Sequence, residues 1–280
     1  MAGLPRLRAG LPKDFASCSW PPATTVTQNS AGEGDRVLED SEIERILVVT
    51  AHPDDVDFGA AGTVASWTAK GFAVSYCIVT DGGAGNADPA IPRSDVPALR
   101  RAEQVAAAHE VGVSDVRFLG YLDGELYVTH GLRRDIVRVI RQVRPQRMLI
   151  QSPERNWERL GASHPDHLAA AEAAMQAIYP DARNPHAHTE LLNDEGLEPW
   201  TVREAWLMAD ARPNHWVDIS SHAPAKFAAL RAHHSQTSHM EDLEGMLTTW
   251  MSGAAQTARD NGHDLPEGAL VEAFRVVSTG

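Results

Sequence analysis

From Ile46 onward the chain alternates short β-branched runs with Ala-rich segments of helical period, and few folds admit that alternation. Parallel strands need a crossover of a dozen residues or more, for which a helix is the usual solution. The pattern therefore predicts an α/β fold, a mostly parallel sheet flanked by helices. Strands are expected at 45–50, 73–80, 116–119 and 147–151, separated by helices at 59–70, 97–111 and 130–143. Pro97 suits the first turn of its helix, and Pro145 divides the third helix from the fourth strand. A helix over 165–178 and a loop-like stretch over 180–199 follow. Strands near 203–209 and 216–219, helices over 223–234 and 240–261, and a last strand near 270–277 form a smaller C-terminal lobe.

Three segments result. Residues 1–42, rich in Pro, Ser, Thr, Gly and Ala without periodicity, read as a tail with little fixed structure. Residues 43–180 are expected to form a Rossmann-like domain, and 181–280 to complete the same domain. The 280 residues, 43% of them hydrophobic, suffice for a large core. A formal net charge of -13 repels phosphate backbones and anionic headgroups, so nucleic acid is not an expected partner. No apolar stretch approaches the roughly 20 residues of a membrane span, and no secretory signal is evident. Two cysteines, Cys18 and Cys77, build no disulfide framework, which favours a cytoplasmic protein. Oligomeric state is left open.

The first strand runs directly into Ala51-His52-Pro53-Asp54-Asp55. In doubly wound sheets, ligands bind beyond the carboxyl ends of strands, at the point where strand order reverses. If the first strand lies beside the fourth, the loop after Gln151 opens onto the same crevice, and it brings Ser163-His164-Pro165-Asp166-His167. A catalytic Zn²⁺ takes three imidazole or carboxylate ligands and keeps a fourth position open. His52, Asp55 and His167 supply that set. Asp54 and His164 remain beside them as a base for the attacking water and an acid for a leaving amine, the two groups amide hydrolysis requires. Asp166 is placed to orient a neighbouring imidazole. The competing reading makes these residues helix caps and loop hydrogen-bonders, a role that explains one cluster more easily than two.

The pair His-Pro-Asp-Asp and His-Pro-Asp-His resembles the PIG-L (LmbE-like) family of zinc-dependent N-deacetylases, which act on N-acetylglucosamine-containing molecules. The similarity spans about Ile46 to Gln236. It implies one divalent metal, zinc or a similar ion, on His52, Asp55 and His167, with Asp54 as general base. It also implies that His164 stabilises the oxyanion and protonates the amine of a small N-acylated glycoside. Arg100 and Glu103 match the family's Arg-x-x-Glu, and Asp123 an acidic residue after its third strand; the resemblance implies that these contact sugar hydroxyls. Segments 216–220 and 229–236 also look like family segments. Many relatives carry Glu directly after the Asp pair, where this chain has Val56 and then Asp57, a residue that suits the first turn of the next helix.

Three other readings compete. A dinucleotide-dependent dehydrogenase lacks support, because the first turn has no Gly-x-Gly-x-x-Gly and its carboxylates would face a pyrophosphate. An amidase for a bulkier conjugate uses the same machinery. A non-catalytic metal or carbohydrate-binding relative would not need Asp54 and His164. His186, His188, His233, His234 and His239 read as surface or loop residues. Arg133, Arg134, Arg138, Arg141 and Arg144 read as a solvated helix face.

Overall fold

The structure, a computed structural model, describes residues 37–85 and 90–280. Seven strands form one sheet in the order β3-β2-β1-β4-β5-β7-β6. They are β1 (Arg45–Thr50), β2 (Ala73–Thr80), β3 (Asp115–Tyr121), β4 (Arg147–Gln151), β5 (Glu204–Met208), β6 (His215–Asp218) and β7 (Val271–Ser278). The first five run parallel, and β7 pairs antiparallel with both β5 and β6. The C-terminal strands thus extend the same sheet. The helices are α1 (Asp55–Ala69), α2 (Val96–Glu110), α3 (His130–Val143), α4 (Pro165–Gln176), α5 (Thr189–Asn193), α6 (Ala223–Ala232), α7 (His234–Thr237) and α8 (Leu243–Asp260).

Strand β1 shows why its sequence is an unbroken apolar run. Leu47 and Val49 enter one hydrophobic cluster, with Leu132, Ile136 and Ile140 of α3 and the alanines of α4. Ile46 and Val48 enter the other, with Val56, Ala60 and Val64 of α1 and Ala107 and Ala108 of α2. Alternate side chains point to opposite faces, and both faces are covered. Helix α1 lies close to the C-terminal strands. A Cβ added at Gly62 would come within 2.7 Å of the Ile219 side chain, so only glycine fits there without a shift.

Several expectations need correction. Helix α1 starts at Asp55 rather than near Gly59, because the left-handed backbone of Asp54 (φ 92°) turns the chain straight from the loop into the helix. The stretch expected as a loop over 180–199 contains α5 and is fastened by Arg141. That guanidinium is only 2% exposed and donates to the carbonyls of Asp181, Ala182, Asn184 and Ala187 at 3.0–3.2 Å, so α3 does not present a uniformly solvated arginine face. His188 is likewise buried, its Nε2 3.0 Å from Asp181 Oδ2. The helix expected over 223–234 breaks at His233 into α6 and α7.

Residues 1–36 of the expected tail lie outside the described residues. Those from 37 to 42 are held: Leu38 donates its N–H to Glu204 Oε2 at 2.8 Å, and Asp40–Glu42 make a 3-10 turn. Among the described residues, no helix is long and apolar enough to cross a membrane.

Candidate active site

Strand order reverses between β1 and β4, as expected, and the loops after those strands face one another there. Gln151, at the end of β4, accepts the Ala51 N–H at 3.0 Å, and Thr80 of β2 donates its hydroxyl to the Ala51 carbonyl at 2.9 Å. Neighbouring strands therefore pin the start of the His52–Asp55 loop. The second cluster enters through a 3-10 turn (Leu160–Ser163) and the first turn of α4, where Pro165 takes a position that needs no N–H.

The three expected metal ligands converge. His167 Nε2 lies 3.0 Å from Asp55 Oδ1 and 3.2 Å from His52 Nδ1, and His52 Nδ1 lies 3.4 Å from Asp55 Oδ2. Donors bound at about 2.0–2.1 Å in a tetrahedron stand roughly 3.3 Å apart, so this spacing suits a small divalent ion. The outer nitrogens set the tautomers. His52 Nε2 faces Asp123 Oδ1 at 3.1 Å and Asp166 Oδ2 at 3.2 Å, and His167 Nδ1 faces the Ala162 carbonyl at 3.4 Å. Carboxylate and carbonyl oxygens only accept, so each outer nitrogen carries the proton and each inner lone pair points toward Asp55. Without a cation such an arrangement must hold a proton instead. Burial lowers the His52 pKa, but Asp123, Asp166 and Asp55 together push it up to about 12. That excess of negative charge is the property a metal site requires.

Asp166 is fully buried and serves His52, not His164, with its carboxylate. Burial raises its pKa, but His52 and the N–H groups of Gly124 and Leu126 outweigh that and hold it below the usual carboxylate value. His164 accepts the Asp166 backbone N–H on Nδ1 at 3.2 Å, so neutral His164 carries its proton on Nε2. Burial, with His52 and His167 close by, lowers the His164 pKa and favours the neutral ring. Its ring centroid lies 5.0 Å from that of His52 and 5.3 Å from that of His167.

Asp54 stands at the edge of the ligand group. Burial pushes its carboxyl up to about 6, against the opposing pull of the Arg100 guanidinium and with the help of Asp55. Its backbone N–H donates to Gln104 Oε1 at 2.8 Å, and Arg100 donates to its Oδ2 at 3.0 Å and to the Pro53 carbonyl at 2.6 Å. The loop's left-handed turn is thus held from α2.

The residues expected to read sugar hydroxyls are already engaged. Arg100, 3% exposed, bonds Asp54, Pro53 and the Gly82 carbonyl. Asp123 divides its oxygens between His52 and the Ala84 N–H. Glu103 accepts the N–H and hydroxyl of Ser235, both at 2.7 Å. These positions brace the loops.

Two residues outside the expected site also belong to its support. Asp57 is buried and accepts from Gln104 Nε2 at 2.9 Å and faces His233 Nε2 at 2.8 Å. It therefore links α1, α2 and the α6–α7 break, a role that no local pattern marks. His233, expected near the surface, is completely buried in that linkage.

The profile of the family described as PIG-L, GlcNAc-PI de-N-acetylase, matches residues 47–178. The diacetylchitobiose deacetylase of Thermococcus kodakarensis is 31% identical over 196 residues, covering 70% of this chain and 71% of the relative. The crystal structure of an N,N'-diacetylchitobiose deacetylase from Pyrococcus horikoshii superimposes with a TM-score of 0.76 at 27% identity, covering 85% of each chain. The 4-carboxy-2-hydroxymuconate hydratase GalB of Pseudomonas putida KT2440 shares the fold, with a TM-score of 0.69 at 21% identity over 84% of this chain and 96% of that one. Fold alone therefore does not decide the reaction. On the profile match and the Thermococcus relative together, the chain belongs to the PIG-L family of metal-dependent N-deacetylases.

Proposed function

We propose that the protein hydrolyses the N-acetyl amide of a soluble N-acetylglucosamine-containing molecule, with one divalent ion on His52, Asp55 and His167. Zinc is the ion this donor set favours, two imidazoles and a carboxylate being a common catalytic combination. The observation that carries the reading is the convergence of three inward lone pairs at 3.0–3.4 Å with Asp54 and His164 beside them. Once bound, the ion supplies Lewis acidity to the amide carbonyl and to the attacking water.

Asp54 accepts the proton of that water. A carboxyl pushed up to about 6 is a stronger base than an ordinary one and is still mostly ionised near neutrality. Arg100 fixes one of its oxygens, so the base is held in place as well as tuned. His164, with its proton on Nε2, hydrogen-bonds the developing oxyanion. A neutral ring whose Nδ1 accepts the Asp166 N–H cannot release that proton without becoming an anion, so the proton that Asp54 took from the water passes to the nitrogen as the C–N bond breaks. The products are acetate and an amine, and Asp54 is left ionised for the next turnover. Asp123 and Asp166 hold the His52 ring, and Arg100 and Glu103 act as positioning residues.

The partner is then a small N-acylated glycoside, and the buried free thiol of Cys77 favours a reducing compartment, the cytoplasm. A mass-spectrometric screen of the zinc-loaded protein against N-acetylated glycosides tests the reading. Loss of one acetyl group from a glucosamine derivative is expected, and no loss from any of them overturns it.

A further inference from the structure

Beside the three ligand residues lies a cavity of about 470 Å³ to which Asp55 and His167 contribute one wall. The wall from α8 and its surroundings is apolar: Phe58, Met240, Met246, Leu247, Trp250 and Met251. Cavities of about 300–1,000 Å³ hold drug-sized ligands, far larger than the methyl of an acetyl group. Methionines fill irregular apolar space and adapt to chains of different length. The charged groups that reach the cavity are already occupied. Lys226 pairs with Glu272 at 2.7 Å and donates to the Phe58 carbonyl at 2.7 Å, and Asp210 accepts the Ser152 hydroxyl at 2.7 Å. At the rim, the Arg159 guanidinium lies over the Trp250 ring at 5.2 Å, and the loop that supplies Arg159 also exposes Trp157 and Leu160.

Asp54, His164, Arg100 and Asp123 are not among the residues lining this cavity. If Asp54 takes the water's proton and passes it to the nitrogen, the nitrogen and its sugar lie on the side of Asp54, which is rich in charged groups. The acyl group then points toward the apolar side. We propose that the cavity is an acyl-chain site and that, besides acetyl, the protein hydrolyses amino-sugar amides whose acyl group is longer. This rests on the amide-hydrolase reading above. The chemistry balances in the same way: water adds to the carbonyl carbon, the C–N bond breaks, and a fatty carboxylate leaves with a free amine.

The test compares N-acetyl-, N-butanoyl- and N-octanoylglucosamine with the zinc-loaded full-length protein, following amine release. Burying one CH₂ group is worth up to about fourfold, so two buried groups of the six that octanoyl adds over acetyl give a gain of about tenfold. The octanoyl-to-acetyl ratio of kcat/KM should therefore reach at least about ten. Gly161→Phe and Met246→Gln should each lower that ratio by about fivefold or more. Gly161 lines the cavity and a Cβ there meets nothing within 4 Å, so its backbone admits a side chain that takes up cavity space. A wild-type ratio of one or less, or a ratio unchanged in both variants, overturns the proposal. An octyl glycoside of N-acetylglucosamine gaining where the octanoyl amide does not would also overturn it, by moving the apolar group to the sugar side. Calorimetry of product binding separates the two readings. Octanoate should bind at least about tenfold tighter than acetate in the wild type and lose that advantage in the variants. If acetyl is removed but octanoate binds no better than acetate, the acyl-chain site falls and the deacetylase reading stands. If octanoate binds as expected but no amide is cleaved, the hydrolase reading falls, and with it the assignment of the cavity to an acyl group.

Discussion

Replacing Arg100 by Gln removes the cation that opposes burial at Asp54, and the pH profile should report it. Asp54 stands at about 6 with Arg100 bonded to its Oδ2 at 3.0 Å. An opposite charge at this range commonly lowers a carboxyl by about 1–3 pH units, so its loss should move the Asp54 titration upward by about two, the middle of that range. The active form of a general base is the deprotonated one, and activity is lost as pH falls through its pKa. Raising the pKa therefore moves the acid limb of kcat upward. At a pH midway between the two limbs the ionised fraction falls from about 0.9 to about 0.1, a loss near tenfold that is recovered about two pH units higher. A bound divalent ion adds the same charge to both proteins, so the displacement of the limb, not its absolute position, is the readout. Arg100→Lys keeps the charge and should hold the limb close to its wild-type position. The assay is steady-state acetate release from pH 5 to 9.5 at constant metal loading. A limb that stays in place in Arg100→Gln, with activity reduced equally at every pH, would refute the reasoning and leave Arg100 with its bonds to the loop as its whole effect.

Three further outcomes are expected. His167→Ala should lose most of its metal, because two donors no longer make a closed site, and unchanged stoichiometry by metal analysis would falsify the ligand set. Asp54→Asn should keep its metal and lose about 10²–10⁴ in turnover, since an amide cannot take the water's proton; near-normal rates would point to another base. Truncation through residue 42, compared with truncation through residue 36, should lower the melting temperature by about 2–8 °C through loss of the Leu38 bonds to Glu204 and Arg147, and equal midpoints would show those bonds to be inconsequential.

The two loops of the candidate site were legible because each follows an apolar strand and carries a run of His and Asp; they meet because β1 lies beside β4, the order taken as a condition for that reading. What the residues around the ligands do was not legible. Arg100 and Glu103 have the i, i+3 spacing of an exposed helix pair, yet α6 and α7 cover that face of α2 and bury both. Asp57 looks like a carboxylate in the first turn of a helix, but its partner His233 is 176 residues away. Arg141 shares the spacing of its solvated neighbours and turns inward because the carbonyls of the segment around Asp181–Ala187 need donors. Each miss has one cause: the partner is distant in sequence, and local periodicity is blind to it.

The backbone of Asp54, at φ 92°, is a conformation that glycine adopts freely and that costs most other residues about 1–2 kcal/mol. Glycine at this position would relax the backbone but leave the Arg100 guanidinium, only 3% exposed, without its carboxylate, so relief of strain and loss of the buried pair oppose one another. The unusual turn and the buried cation are therefore coupled: a substitution that frees the backbone at 54 can strengthen the fold only together with a change at 100.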